Sequence, residues 1–230
     1  MFEEVKSVTA IAHELKTPLC LMRQLALSLD LATTPDQRSR MESRLIQISD
    51  HTLRQIEDLE RMSRLQDGLF TMEPVSIRGV CDSVLREITL LSRLEGCRIH
   101  TSYLNKTRLA SANRDLLHSI VYHLCLNALH YTNDNSCSEL SVSEHKGHVR
   151  VGIRDYGPAL PTKLWHELQS GILACPPIHI AMRPSSSSLG LYLASRFADQ
   201  MHSRLNAIRH HDGTTFFLDL LPSTQTMLPI

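Results

Sequence analysis

Six consecutive residues, His13-Glu14-Leu15-Lys16-Thr17-Pro18, carry the chain's clearest chemistry. An imidazole followed directly by a carboxylate is a nucleophile beside its own base. Glu14 can orient or deprotonate one ring nitrogen of His13 while the other attacks an electrophile such as phosphorus. Apolar residues around the pair recur at helical spacing (Val5, Val8, Ala12, Leu15, Leu19, Met22, Leu25, Leu29), which puts His13 beside the buried stripe, towards solvent. Pro18 removes a helical N–H, and a bend is expected just after His13. On these six residues alone, an ordinary amphipathic helix with an exposed histidine and a tolerated proline fits equally well.

Three further polar clusters interrupt apolar elements. Asn127-Ala128-Leu129-His130-Tyr131-Thr132 ends the strongest helical pattern, and a carboxamide among apolar residues is costly without a partner. Asp155-Tyr156-Gly157-Pro158-Ala159-Leu160-Pro161 reads as a strand running into a turn. Ser186-Ser187-Ser188-Leu189-Gly190-Leu191 feeds a helix N-terminus, where backbone N–H groups could hold an anion. Taken singly, these also fit a satisfied core asparagine, a simple turn and a low-complexity loop.

The elements that must position these clusters follow from periodicity. Helical patterns cover residues 3–31 and 35–66, with Thr34 as a cap, Pro35 in the first turn and Gly68 as a stop. Two such helices cannot bury their stripes on each other with any margin, so a dimeric four-helix bundle is expected. Beyond residue 68 the pattern becomes α+β. Helices are expected over 76–94, 114–131 (capped by Asn113), 161–169 and 189–204. Strands are expected over 97–104 and 106–110, with hairpins around Lys146-Gly147 and Asp212-Gly213, in a mixed or antiparallel sheet. The division is residues 1–68, 69–222 and a tail over 223–230.

Composition narrows the partners. In 230 residues, 24 Lys+Arg balance 24 Asp+Glu, which argues against nucleic acid as a partner. No apolar run is long enough to span a bilayer and no signal-peptide pattern is present, so a cytoplasmic location is expected. The six cysteines lack metal-ligand spacing and read as buried free thiols; the 13 histidines lack such spacing too.

In this order and spacing, the clusters resemble the transmitter core of a sensor histidine kinase across nearly the whole chain. Residues 13–19 are similar to the family's H box, 121–132 to its N box, 155–161 and 186–193 to its two glycine boxes, and 213–220 to its closing strand. The resemblance implies an N-terminal hairpin in a dimeric four-helix bundle and an α/β-sandwich ATP-binding domain. It implies ATP and Mg²⁺ as cofactors, with Asp155 accepting the adenine amine and Asn127 offering oxygen to Mg²⁺. His130, Tyr131, Gly157, Gly190 and Leu191 would line the nucleotide site. His13 would accept the γ-phosphoryl group with Glu14 as base, and pass it to an aspartate of a response regulator. Thr17 would position water for the reverse reaction.

Several positions depart from the family pattern. His123 stands where an asparagine is usual, His130 where a lysine is common, and Ala159, Ser186 and Ser188 where glycines are usual. The region 171–188 also lacks the family's phenylalanine-containing segment. The losses fall on the ATP lid, whereas the phospho-acceptor segment is complete. Two alternatives to a working kinase therefore stay open: a phosphotransfer or phosphatase partner with a degenerate lid, and a non-enzymatic dimeric scaffold for a response regulator. Twelve residues precede His13, too few for a sensor domain. Input is expected from a separate sensor protein, from the nucleotide-binding domain or from upstream sequence.

Overall fold

The computed structural model describes residues 2–65, 70–94, 96–104, 108–132, 137–171, 173 and 188–224. Two helices open the chain: α1 (Phe2–Ser28), continued by a 3₁₀ turn (Leu29–Leu31), and α2 (Pro35–Arg64), packed against each other as a hairpin. Pro18 lies inside α1 rather than ending it. The start of α2 is fixed by reciprocal capping. Thr34 Oγ1 accepts from Gln37 N at 3.2 Å, and Gln37 Oε1 accepts from Thr33 N at 3.2 Å and Thr33 Oγ1 at 2.9 Å. Pro35, whose N–H would be unpaired there anyway, takes the first helical position. The expected stop at Gly68 lies outside the described residues.

Next come β1 (Glu73–Val75), α3 (Ile77–Leu94), β2 (Arg98–Tyr103), β3 (Ala110–Ala112) and α4 (Arg114–Tyr131). They are followed by β4 (Cys137–His145), β5 (His148–Arg154), α5 (Thr162–Ser170), α6 (Ser188–Gln200), β6 (Asn206–His210) and β7 (Gly213–Leu220). β1 and β3 form a small antiparallel pair. The other five strands form a mixed sheet in the order β2-β4-β5-β7-β6, in which only β2 and β4 run parallel. Lys146 and Gly147 turn the β4–β5 hairpin with φ of 49° and 82°, the pairing that matches strand twist.

Alternation along β4, β5 and β7 sends Leu140, Val142, Val149, Val151, Ile153, Phe216, Leu218 and Leu220 into the core. The opposite face is polar. Arg150 and Asp219 lie opposite each other in the register and pair at 2.6 and 2.7 Å, with the guanidinium over the Phe217 ring. α4 lies across the apolar face of the sheet, against α3 and α6. It is buried almost all round, which explains why its sequence has little amphipathic bias.

Two boundaries moved from the sequence expectation. The strand expected at 106–110 forms at Ala110–Ala112, where pairing with β1 is available. The last long helix ends at Gln200 rather than 204, because the chain turns at Met201 and His202, the latter at φ 53°. Ile11 and Leu15 of α1 and Leu59 and Met62 of α2 pack on the core of the C-terminal unit, so the hairpin is seated on it.

Candidate functional site

Asp155 sits where β5 ends and is 5% exposed. Its Oδ1 accepts two backbone N–H groups, from Gly157 and from Thr214, both at 3.1 Å. Burial raises its pKa above the usual aspartate value, against the pull of those two hydrogen bonds and of Arg154. Both bonds fall on Oδ1, so Oδ2 is the oxygen left for an incoming donor. Gly157 follows on the turn. A side chain there would run into the carbonyl oxygen of Tyr131, so this position admits only hydrogen where the turn crosses the end of α4. Thr132 ties the same end to the sheet: its hydroxyl meets Ser138 Oγ at 2.7 Å. Tyr131 and Asp155 are thus brought to the same edge of the unit.

Along α4, His130 at its end and Asn127 and His123 one and two turns back line a small cavity together with Leu126, Gly190 of α6, and His51 and Gln55 of α2. Asn127 is 6% exposed and its Nδ2 is buried without a hydrogen-bond partner. Gly190 is closed in by His123: a Cβ there would stand 3.0 Å from His123 Nδ1. The space left by the missing side chain is therefore occupied, on that side, by an imidazole. The Leu191 side chain is 5% exposed and belongs to the core, so any ligand contact from this residue is through its backbone. Ser186 lies outside the described residues, as does the Ser188 side chain.

His123 joins α4 to α2. Its Nε2–H donates to Asp58 Oδ2 of α2 at 2.8 Å, and both side chains are 1% exposed or less. Asp58 Oδ1 accepts from Ser119 Oγ at 2.7 Å and from Arg61 Nη1 at 2.9 Å. Burial pushes the Asp58 carboxyl up, but His123, the Ser119 hydroxyl and Arg61 together bring it below the usual aspartate value. His51 stacks on Tyr122 with ring centroids 6.5 Å apart, and Arg54 covers the other part of that ring at 4.3 Å. Burial lowers the His51 pKa from 6.5 to about 3, helped by His123, His130 and Arg54. Sequence reasoning missed His51, Gln55, Asp58 and Ser119. The signal was available: the apolar stripe of α2 is broken between Ile48 and Leu59 by polar residues at helical spacing.

The α1 segment is different in kind. His13 and Thr17 are exposed and Glu14 is half-buried, while Ile11 and Leu15 on either side pack on the core. Thr17 Oγ1 donates to the His13 carbonyl at 3.4 Å. Pro18 has no N–H for the Glu14 carbonyl, so the helical ladder is loosened one turn after His13. The structure therefore gathers Asn127, His130 and Gly190 at one cavity and Asp155, Gly157 and Tyr131 at the adjoining edge. His13, Glu14 and Thr17 stand on α1 of the hairpin and do not line that cavity.

Residues 112–225 match the family described as histidine kinase-, DNA gyrase B-, and HSP90-like ATPase. Among curated proteins, the chain is 25% identical to the sensor protein CreC of Escherichia coli (strain K12) over 194 residues, covering 83% of this chain and 40% of CreC. It thus spans less than half the length of that relative. Among solved structures, the histidine kinase AdeS of Acinetobacter baumannii shares the fold at a TM-score of 0.63 and 15% identity, over 92% of this chain and 98% of that one. The histidine kinase ThkA, solved in complex with the response regulator protein TrrA, shares it at 0.64 and 15% identity, over 95% and 61%. A seated helical hairpin, a mixed sheet covered by α4, and the match of residues 112–225 to this ATPase family give the chain the architecture of a histidine kinase transmitter core.

Proposed function

We propose that the chain is an ATP-dependent protein-histidine kinase of a two-component system that autophosphorylates on His13. Residues 1–68 serve as the dimerisation and phosphotransfer part, and 69–222 as the ATP-binding part. Asp155 accepts the adenine exocyclic amine on Oδ2. Tyr131, Gly157, His130 and the backbone of Gly190 and Leu191 line the nucleotide. The carboxamide oxygen of Asn127 is the hard donor suited to Mg²⁺, and its buried Nδ2, which has no partner, fits an acceptor such as a phosphate oxygen that arrives with the ligand. When bound, Mg²⁺ neutralises and orients the triphosphate.

His13 then attacks the γ-phosphorus. A nitrogen–phosphorus bond forms, the bond to the ADP oxygen breaks, and Glu14 takes the imidazole proton. The phosphoryl group passes to a response-regulator aspartate. The complex of ThkA with TrrA supports that partner class. Thr17, beside His13, positions water for dephosphorylation. A homodimer is supported by apolar side chains left in solvent on the hairpin, among them Leu27 at 66% and Leu31 at 77% exposure. Among the described residues no helix is long and apolar enough to cross a membrane, and we assign the protein to the cytoplasm. A separate sensor protein is a further partner in this reading.

The observation that carries the reading is Asp155, a carboxylate pinned by two backbone amides before any ligand arrives, with one oxygen left to receive a base. The hairpin adds geometry. Counting equal residues back and forward from the turn at Thr33 puts His13 level with about residue 53, between the His51 and Gln55 that face Asn127. Incubation with γ-labelled ATP and Mg²⁺ tests the proposal. Label on the wild type, absent from both His13→Ala and Asn127→Ala, is expected. Nucleotide binding without label would favour the phosphatase partner, and neither would leave the scaffold.

A further inference from the structure

The residues of α2 that are fully buried are all polar: Thr52, Gln55 and Asp58, at 3% exposure or less. They share one helical face, and that face is turned to the C-terminal unit, while Ile46, Leu53 and Ile56 of the same helix stay in solvent. Asp58 is the anchor. Its two oxygens are taken by His123 and Ser119 of α4 and by Arg61 of its own helix. His123 in turn fills the space beside Gly190, so one imidazole joins α2, α4 and α6.

The consequence appears two turns up α2. His51 and Gln55 close over the cavity into which Asn127 points. That cavity measures about 10 Å³, room for a single water and far too little for a metal and a phosphate. His51 Nδ1, Gln55 Nε2 and Asn127 Nδ2 are each buried there without a partner. His13, meanwhile, is exposed on α1.

We propose that Asp58 and His123 form a latch that holds α2 across Asn127 and closes the metal end of the nucleotide site, so that binding of magnesium nucleotide and opening of the latch are one event. The inference rests on the reading of Asn127 as the metal–nucleotide ligand. It makes His123 a residue of control rather than of phosphate binding. The resting state is stabilised by the hydrogen bond from His123 to a buried carboxylate and opposed by three unpaired polar atoms at the same junction, which is the balance a releasable contact requires.

The test is a calorimetric titration of the full chain with magnesium ADP, comparing wild type with Asp58→Asn and His123→Asn. Circular dichroism establishes that each is folded, and Arg61→Gln serves as a milder third variant. A latch closed nine-tenths of the time lowers apparent affinity about tenfold, so tightening of that order is expected in both asparagine variants, with no further gain in the double variant. Unchanged or weaker affinity in the folded variants overturns the latch, whether or not His13 is still labelled. Tighter binding with no label on His13 supports the latch and contradicts the kinase reading. Absence of nucleotide binding in every folded variant overturns both.

Discussion

The two segments that carry the proposed reaction are housed in opposite ways. The His13 segment lies on a solvent-facing side of α1, steadied by Ile11 and Leu15 on the core and loosened by Pro18. The Asn127 segment lies in a helix buried on nearly every side, with α2 drawn over it by a charged anchor. An acceptor that must meet both a nucleotide and a second protein gains from exposure. A metal-binding carboxamide gains from shelter until its ligand arrives. Under the proposed reading the contrast places control on the nucleotide side: His13 stays exposed, and access to Asn127 is what varies.

The largest expected effect separates the two segments by function. His13→Ala should abolish label incorporation from γ-labelled ATP, because the acceptor is gone, and Asn127→Ala should lower it by about two to three orders of magnitude, to background. Only Asn127→Ala should weaken binding of magnesium ADP. Equal loss of nucleotide binding in both would erase the distinction.

Next is the anchor. His123→Ala leaves Asp58 buried against Ser119 and Arg61 without its imidazole, which should cost about 3–5 kcal/mol in urea unfolding. The second removal in an Asp58→Ala, His123→Ala double variant should cost much less than the first, because no buried charge is then left. Additive losses would show that the pair is not coupled.

A smaller effect is expected from Gly157→Ala. The added methyl must push the turn off the Tyr131 carbonyl, an overpacking cost of about 1–3 kcal/mol that a thermal melt would read. Adenine binding should fall with it, since the turn also carries the N–H that pins Asp155.

The last effect is a slope, small over any one pH unit. His51 is held neutral, its pKa lowered from 6.5 to about 3, facing His123, His130, Arg54 and Asp58. Between those values the unfolded chain binds a proton that the folded one refuses. The stability this histidine contributes is therefore complete above pH 6.5 and is lost as pH falls towards 3, at no more than about 1.4 kcal/mol per pH unit. His51→Ala should flatten that part of the stability profile.

Much of this was legible in the sequence. Helix 114–131 and its Asn113 cap match the structure at both ends, because a strong apolar run is bounded by unambiguous signals: Asn113 Oδ1 accepts from Leu116 N at 3.1 Å. The Lys146-Gly147 hairpin and the Thr34-Pro35 helix start were equally plain, since turn and cap chemistry are local. The resemblance also singled out Asn127, Asp155 and Gly157, which the fold brings to one side of the unit.

What escaped was set by contacts between distant segments. Nothing near Asp58 announces that its carboxylate will be buried against a histidine 65 positions later. In sequence His123 looks like a substituted asparagine near the phosphates, and only the packing of α2 on α4 turns it into an anchor. Gly190 reads as a phosphate-loop glycine until the imidazole beside it is seen.

Locating the phosphoryl group on the intact protein tests the central claim most directly. After incubation with ATP and Mg²⁺, fragmentation mass spectrometry under neutral conditions should place an acid-labile phosphoryl group on His13 and nowhere else. Phosphate on another residue, or none on a protein that binds magnesium ATP, would contradict the account.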